Sequence, residues 1–243
     1  MKIGLQLWSI FQETEKNLLK TLEKVAKMGY EAVEFAGYFE HSAAEIKAKL
    51  QELGLEVAAS HIPFERLCDE FDAVIAFEKE LGNNYIVCPY ATFETIEEWL
   101  SFAKELKIIN QKILDSGLRF VYHNHAEEFQ KFEDGYILDH LLKNVDMAEI
   151  DVYWAAFAGV EPVSYLQQYS KKTPLVHIKD MDETKDKSTE IGNGILDIEA
   201  IVKQAKDNGA EWLIVEQEAF DNYEPLTAVE IGINYLKQHL RPF

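Results

Sequence analysis

The 243-residue sequence predicts a single (β/α)8 TIM barrel domain over residues 1–243. Three observations carry that expectation. Short apolar runs alternate with longer runs of helical period along the whole chain, giving eight strand–helix units with no linker between them. Several of the strand runs are apolar throughout, as in a parallel sheet covered by helices. The units recur about every thirty residues, which favours closure over an open doubly wound sheet. No Gly-x-Gly-x-x-Gly follows the first strand to open a dinucleotide-binding sheet.

The first strand is expected over Lys2–Trp8, with Leu18, Leu22, Val25 and Ala26 following at helical spacing. Ala32–Phe35 is the second strand, and a helix near Ala43–Leu53 is stopped by Gly54 as C-cap. Val57–His61 is the third, followed by a helix over Glu70–Leu81. Tyr85–Tyr90 is the fourth, followed by a long helix over Thr95–Ser116. Arg119–Asn124 is the fifth, with Leu138–Lys143 after it. Ala148–Trp154 is the sixth, with Val163–Tyr169. Leu175–Lys179 is the seventh, with Ile198–Asn208. Trp212–Glu218 is the eighth, and a helix over Leu226–His239 closes the chain.

Composition narrows the function classes. The formal net charge is −19, so the surface repels nucleic-acid backbones and anionic lipid, and neither is an expected partner. The two cysteines, Cys68 and Cys88, make neither a metal-ligand spacing nor a disulfide framework. No signal peptide and no membrane-spanning apolar run is read, so a cytoplasmic location is expected. A small molecule is the expected partner, and assembly into a homo-oligomer stays open.

Barrel enzymes place their chemistry where strands end. The second strand gives Glu34 and the third His61. The fifth gives His123 and His125, the sixth Asp151, the seventh His177 and Lys179, and the eighth Glu216 and Glu218. Residues two apart along a strand share a face. Singly, each has a bland reading as a loop anchor, a surface ion pair or a solvated carboxylate. Together, four consecutive strands end on ionisable groups after apolar runs, and burying these costs several kcal/mol unless compensated. One divalent cation compensates. Mixed imidazole and carboxylate donors suit manganese, zinc, cobalt or iron, and suit magnesium less.

The sequence resembles the xylose isomerase-like barrel superfamily, in its sugar phosphate isomerase/epimerase branch. The resemblance runs from Gly4-Leu5-Gln6-Leu7 and Gly29-Tyr30-Glu31-Ala32-Val33-Glu34-Phe35 through Ser60-His61-Ile62-Pro63 and Tyr122-His123-Asn124-His125. It continues with Asp151-Val152-Tyr153-Trp154, Val176-His177-Ile178-Lys179-Asp180, Gly192-Asn193-Gly194 and Val215-Glu216. It implies a metal held from strands five to eight by Glu, Asp, His and Glu. Asp151, His177 and Glu216 carry over directly. The strand-five position departs, because His123 stands where relatives have Glu; Glu127 and Glu128 just beyond it are the alternative ligands.

What the resemblance implies is a metal-dependent sugar isomerase or epimerase. A ketose, keto-sugar or polyol substrate would lose a proton beside a carbonyl polarised by the cation. Glu216 is the expected base, with His123, His125 or Glu128 as the opposite partner and Lys179 as a donor to a substrate oxygen. Glu34, His61 and His125 are expected to hold substrate hydroxyls, and Trp8 and Trp154 either to stack on a sugar ring or to pack as core. A lyase or dehydratase acting on a keto-cyclitol or keto-sugar is the main alternative, and a non-catalytic sugar-binding barrel is the third. The acidic run Ala219–Glu224 after strand eight speaks against a phosphate site, so an uncharged substrate is expected.

Overall fold

A computed structural model of the chain describes residues 1–239, with 240–243 outside the described residues. Its barrel strands are β1 (Lys2–Gln6), β2 (Ala32–Phe35), β3 (Glu56–His61), β4 (Tyr85–Cys88), β5 (Arg119–His123), β6 (Met147–Asp151), β7 (Leu175–Ile178) and β8 (Trp212–Val215). Each pairs in parallel with its neighbours in chain order, and β8 returns to β1 to close the barrel.

Two apolar layers hold it. The outer one packs strand side chains such as Leu5, Phe35, Phe120 and Ile178 under the helices. The inner one fills the barrel with Ala32, Ala58, Val87, Val121 and Ile214, sealed by Tyr85 and Trp212. Gly4 belongs to this crowded interior, where an added Cβ would lie 3.6 Å from that of Ala58. The seal leaves polar side chains to the other end of the barrel.

Helix boundaries follow local chemistry. Ser42 and Glu45 form a capping box at the start of the helix Ala43–Leu53, and Gly54 ends it at φ 69°. Thr95 and Glu98 do the same for Ile96–Asp115. Six expected strands stop early, the fifth and seventh by a single residue. The first ends at Gln6, whose side chain accepts from the Trp8 N–H and turns the chain into a short 3₁₀ helix, so Leu7 and Trp8 leave the sheet. The fourth ends at Cys88 and the eighth at Val215. The sixth ends at Asp151, because its Oδ1 caps a helix over Val152–Phe157 by accepting from Tyr153 N–H (2.8 Å) and Trp154 N–H (3.0 Å).

After β7 the chain makes an excursion in which Asp180–Met181 pairs with Ser188–Thr189. Rather than forming a surface ion pair, Asp180 accepts from the N–H groups of Met181, Gly192, Gly194 and Leu196. The Gly192-Asn193-Gly194 turn fits only because Gly194 lacks a Cβ, which would stand 2.2 Å from Asp180 Oδ1. No helix among the described residues is long and apolar enough to cross a membrane.

Candidate metal centre

The carboxyl ends of the strands bring together most of the polar residues singled out in the sequence. One donor atom from each of His123, Asp151, His177 and Glu216 lies within 4.8 Å of every other, and all four residues are buried. Asp151 spends Oδ1 on its helix cap and turns Oδ2 inward, 3.8 Å from His177 Nδ1. His177 Nδ1 is 3.2 Å from Glu216 Oε2. Asn124, which the sequence reading passed over, fixes the height of this corner by accepting from the Asp151 N–H at 3.1 Å.

A divalent cation fits this donor set. Asp151 Oδ2 is buried with no hydrogen-bond partner, and His123 Nδ1 lies 3.2 Å from Glu149 Oε2 but outside hydrogen-bond geometry. Buried polar atoms left unmatched by protein are costly, and a cation satisfies them. The protein's own cation here is Lys179. Its ammonium is fully buried, 2.8 Å from Glu216 Oε2, 3.1 Å from Glu218 Oε2 and 3.2 Å from Asp151 Oδ2.

A second layer lies beneath. Glu149 Oε2 is 2.9 Å from His61 Nε2 and 3.2 Å from both His123 Nδ1 and His177 Nε2. Sequence reasoning missed Glu149, although it stands two residues before Asp151 and so shares its face. Glu34 is also repositioned by the structure. It was expected to hold a substrate hydroxyl, but it is fully buried. Its Oε2 accepts from Gln6 Nε2 (2.7 Å) and faces His177 Nε2 (2.7 Å). That contact leaves His177 Nδ1 directed at Asp151 and Glu216, the arrangement in which an outer carboxylate orients a histidine ligand.

The network pushes its members apart in charge. Burial opposes charge on His61, but Glu34 and Glu149 hold its imidazole up at about 9. His177 is likewise buried and held well above the usual value by Glu149, Glu34 and Glu216, so a cation ligated there would displace its proton. His123 goes the other way: burial and the neighbouring His177 depress it well below the usual range, so it is neutral and able to ligate. Burial and Lys179 bring His125 down to about 4. Burial works to raise Glu216, yet Lys179 and His177 hold it well below the carboxylate range. Two residues on, burial wins over Lys179, and Glu218 is raised.

Glu128 is not brought to the cluster. It is buried behind the loop after β5, where Oε1 accepts from Tyr122 O–H (2.7 Å) and Oε2 from the His125 N–H (2.9 Å). Both oxygens are engaged there, away from the four-residue cluster. Glu127 stands beside it in the same short turn.

A cavity of about 580 Å³ opens over the cluster, with His61, His123, His125, Glu216 and Glu218 at its polar side. Trp8 lines it and is half exposed. Trp154 stands against the His125 ring at 5.3 Å and 5.2 Å from the Lys179 ammonium, nearer the buried network than the opening. A cavity of similar size at the opposite end of the barrel holds no such cluster; there Lys2 pairs with Glu56 and Arg119 with Glu211.

The xylose isomerase-like TIM barrel model matches residues 22–239. The chain belongs to that family. Within it, the chain is 24% identical over 271 aligned positions to inosose dehydratase of Clostridium botulinum (strain Alaska E43 / Type E3), covering 92% of this chain and 90% of the relative. It is 23% identical over 249 positions to inosose dehydratase of Clostridium beijerinckii, covering 84% and 83%. Among solved structures, a sugar phosphate isomerase/epimerase from Parabacteroides distasonis superposes with a TM-score of 0.83 at 27% identity, covering 99% of both chains. Structural neighbours within the xylose isomerase-like family thus include named isomerase/epimerases, and its sequence relatives include named lyases.

Proposed function

We propose that the protein is a metal-dependent lyase that removes the proton beside the carbonyl of an uncharged keto-sugar or keto-cyclitol and eliminates a β-oxygen substituent as water. The observation that carries this reading is the pair Glu216 and Glu218. They stand two residues apart just beyond β8 on the polar side of the cavity and share Lys179, at 2.8 and 3.1 Å; against burial, Lys179 and His177 favour the ionised form of Glu216, whereas burial favours the protonated form of Glu218. Neighbouring carboxyls pushed apart in this way supply a base and an acid.

His123, Asp151, His177 and Glu216 would hold manganese, zinc, cobalt or iron, whose bound form supplies carbonyl polarisation and stabilises developing negative charge. The chain's own groups do the rest. Glu216 accepts the α-proton. Lys179, fixed by three carboxylates, donates to the oxygen on which charge gathers. Glu218 protonates the departing hydroxyl. Neutral His125 and charged His61 hold hydroxyls at the cavity floor.

Base and acid lie on one side of the substrate, which suits elimination or transfer of a proton between adjacent carbons. Epimerisation needs a second base across the ring; with Glu128 turned away, only the imidazoles of His123 and His125 remain there. Isomerisation is therefore the second reading, and the naming of the curated relatives as inosose dehydratases favours elimination over it. An uncharged substrate is supported by Arg66 in the cavity lining, which is paired with Glu70 at 2.9 Å.

The test uses the manganese-loaded protein with inosose and a panel of ketohexoses in deuterated water. Proton NMR should show loss of the α-proton and, for at least one substrate, a dehydrated product. Exchange with isomerised product and no dehydration would move the assignment to the isomerase. No exchange with any member would refute the chemistry.

A further inference from the structure

The cavity is divided by chemistry along the barrel's circumference. Apart from His61, the reactive groups come from β5 and β8: His123, His125, Glu216 and Glu218. The wall facing them comes from the segments after β1 to β4 and is carbon-rich: Trp8, Tyr38, Ile62, Pro63, Pro89 and Tyr90. Two of the polar side chains on this side are turned elsewhere. The Tyr38 hydroxyl donates to buried Glu78 behind the wall. Arg66 gives Nε and Nη2 to Glu70 at 3.0 and 2.9 Å.

Two aromatic rings on this wall are unusually open. Trp8 is 51% exposed and Tyr90 49%. Neither is loose. Trp8 is braced by Phe11 at 4.9 Å, and Phe11 in turn by Phe39 at 5.5 Å. Tyr90 stands edge-on to His125 at 5.2 Å and 90°, which ties it to the reactive floor. Half-exposed, pre-positioned rings beside a polar floor present flat apolar faces to whatever fills the rest of the cavity. The volume of about 580 Å³ lies mid-range for pockets of roughly 300–1,000 Å³ that enclose drug-sized ligands.

We infer that the substrate carries two rings: a keto-sugar ring over the β5 and β8 residues, and a second ring joined to it that stacks on Trp8 and Tyr90. The shared chemistry of the second ring is a flat face of C–H or aromatic carbon, met by another sugar or by an aryl aglycone. This rests on the proposed function only in placing a sugar ring on the polar floor. The division of the wall is independent of which reaction follows.

Isothermal titration of the manganese-loaded protein tests it with D-glucose, methyl β-D-glucopyranoside, phenyl β-D-glucopyranoside and cellobiose. At least one two-ring probe should bind about tenfold more tightly than either one-ring probe, the size of one good aromatic contact. Trp8→Ala and Tyr90→Ala should each bring that ratio to about threefold or less, while Trp8→Phe keeps most of it. Cellobiose ahead of the phenyl glucoside identifies a second sugar, and the reverse order an aryl group. Equal binding of one- and two-ring probes, a ratio that survives both alanine variants, or no binding of any probe overturns the inference. Proton exchange on inosose is read separately, so dehydration without a two-ring preference sinks this inference alone, and a two-ring preference without exchange sinks only the reaction.

Discussion

Replacing Glu128 by Gln separates the two strand-five alternatives and has a calculable effect on stability. Burial raises the Glu128 carboxyl to about 7, against the hydrogen bonds from Tyr122 and His125 that favour its ionised form. An unfolded chain titrates glutamate near 4.3. As pH rises through that value the unfolded state loses its proton first, while the folded state keeps it until about 7. Glu128 therefore costs the fold nothing below both values and most above both, so its contribution to stability falls as pH rises. A gap of between two and three units at ~1.4 kcal/mol each gives roughly 3–4 kcal/mol, of which about 2–3 kcal/mol develops between pH 5 and 8. Glu128→Gln keeps the shape and removes the titration. Urea unfolding of both metal-free proteins should show the variant gaining about 2–3 kcal/mol on the parent between pH 5 and 8, with unchanged denaturant slope. A difference that stays flat across that range would refute the buried, raised carboxyl. Elemental analysis of the same variant should still find one ion per chain; loss of the ion would make Glu128 the ligand in place of His123.

The remaining expectations concern the centre itself. Asp151→Ala and His177→Ala should abolish metal binding, measured by competition with a chelating dye, and His123→Ala should weaken it more than an outer partner would, with circular dichroism showing folded barrels. Asp151→Ala should also lose about 1 kcal/mol of stability with its helix cap. Glu34→Gln should weaken metal affinity about 10–100-fold, because it orients His177 without ligating; parent-like affinity would remove that role. Glu216→Gln should slow α-proton exchange by about 10²–10⁴ in NMR, and a parent-like rate would exclude Glu216 as base. Gly194→Ala should lower thermal stability by about 1–3 kcal/mol through its clash with Asp180, and an unchanged melting temperature would show that the turn relaxes at no cost.

The barrel, the order of its strands and most of the polar residues at their ends were legible in the amino-acid pattern alone. Period and composition are local properties, and eight apolar runs with helices between them admit few packings. The sequence also identified Asp151, His177 and Glu216 as neighbours through family resemblance. Which atoms meet was decided only by closure. Alternation says that Glu149 and Asp151 share a face, but not that the face points inward or how high each residue stands. Those follow from the stagger between strands in a closed barrel. Here the register sets His123 beside Glu149, Asp151 beside His177, and Gln6 beside Glu34. That stagger brings Glu149 under three imidazoles and turns Glu34 from an expected substrate contact into the partner of His177, 143 residues away. The placement of Glu128 was illegible for a related reason. Its direction depends on the Tyr122 hydroxyl and the His125 N–H, and a loop's hydrogen bonds have no period to read. Lys179 is expected from the sequence as a donor to a substrate oxygen; that its ammonium is buried among Asp151, Glu216 and Glu218 follows only from the convergence of β6, β7 and β8.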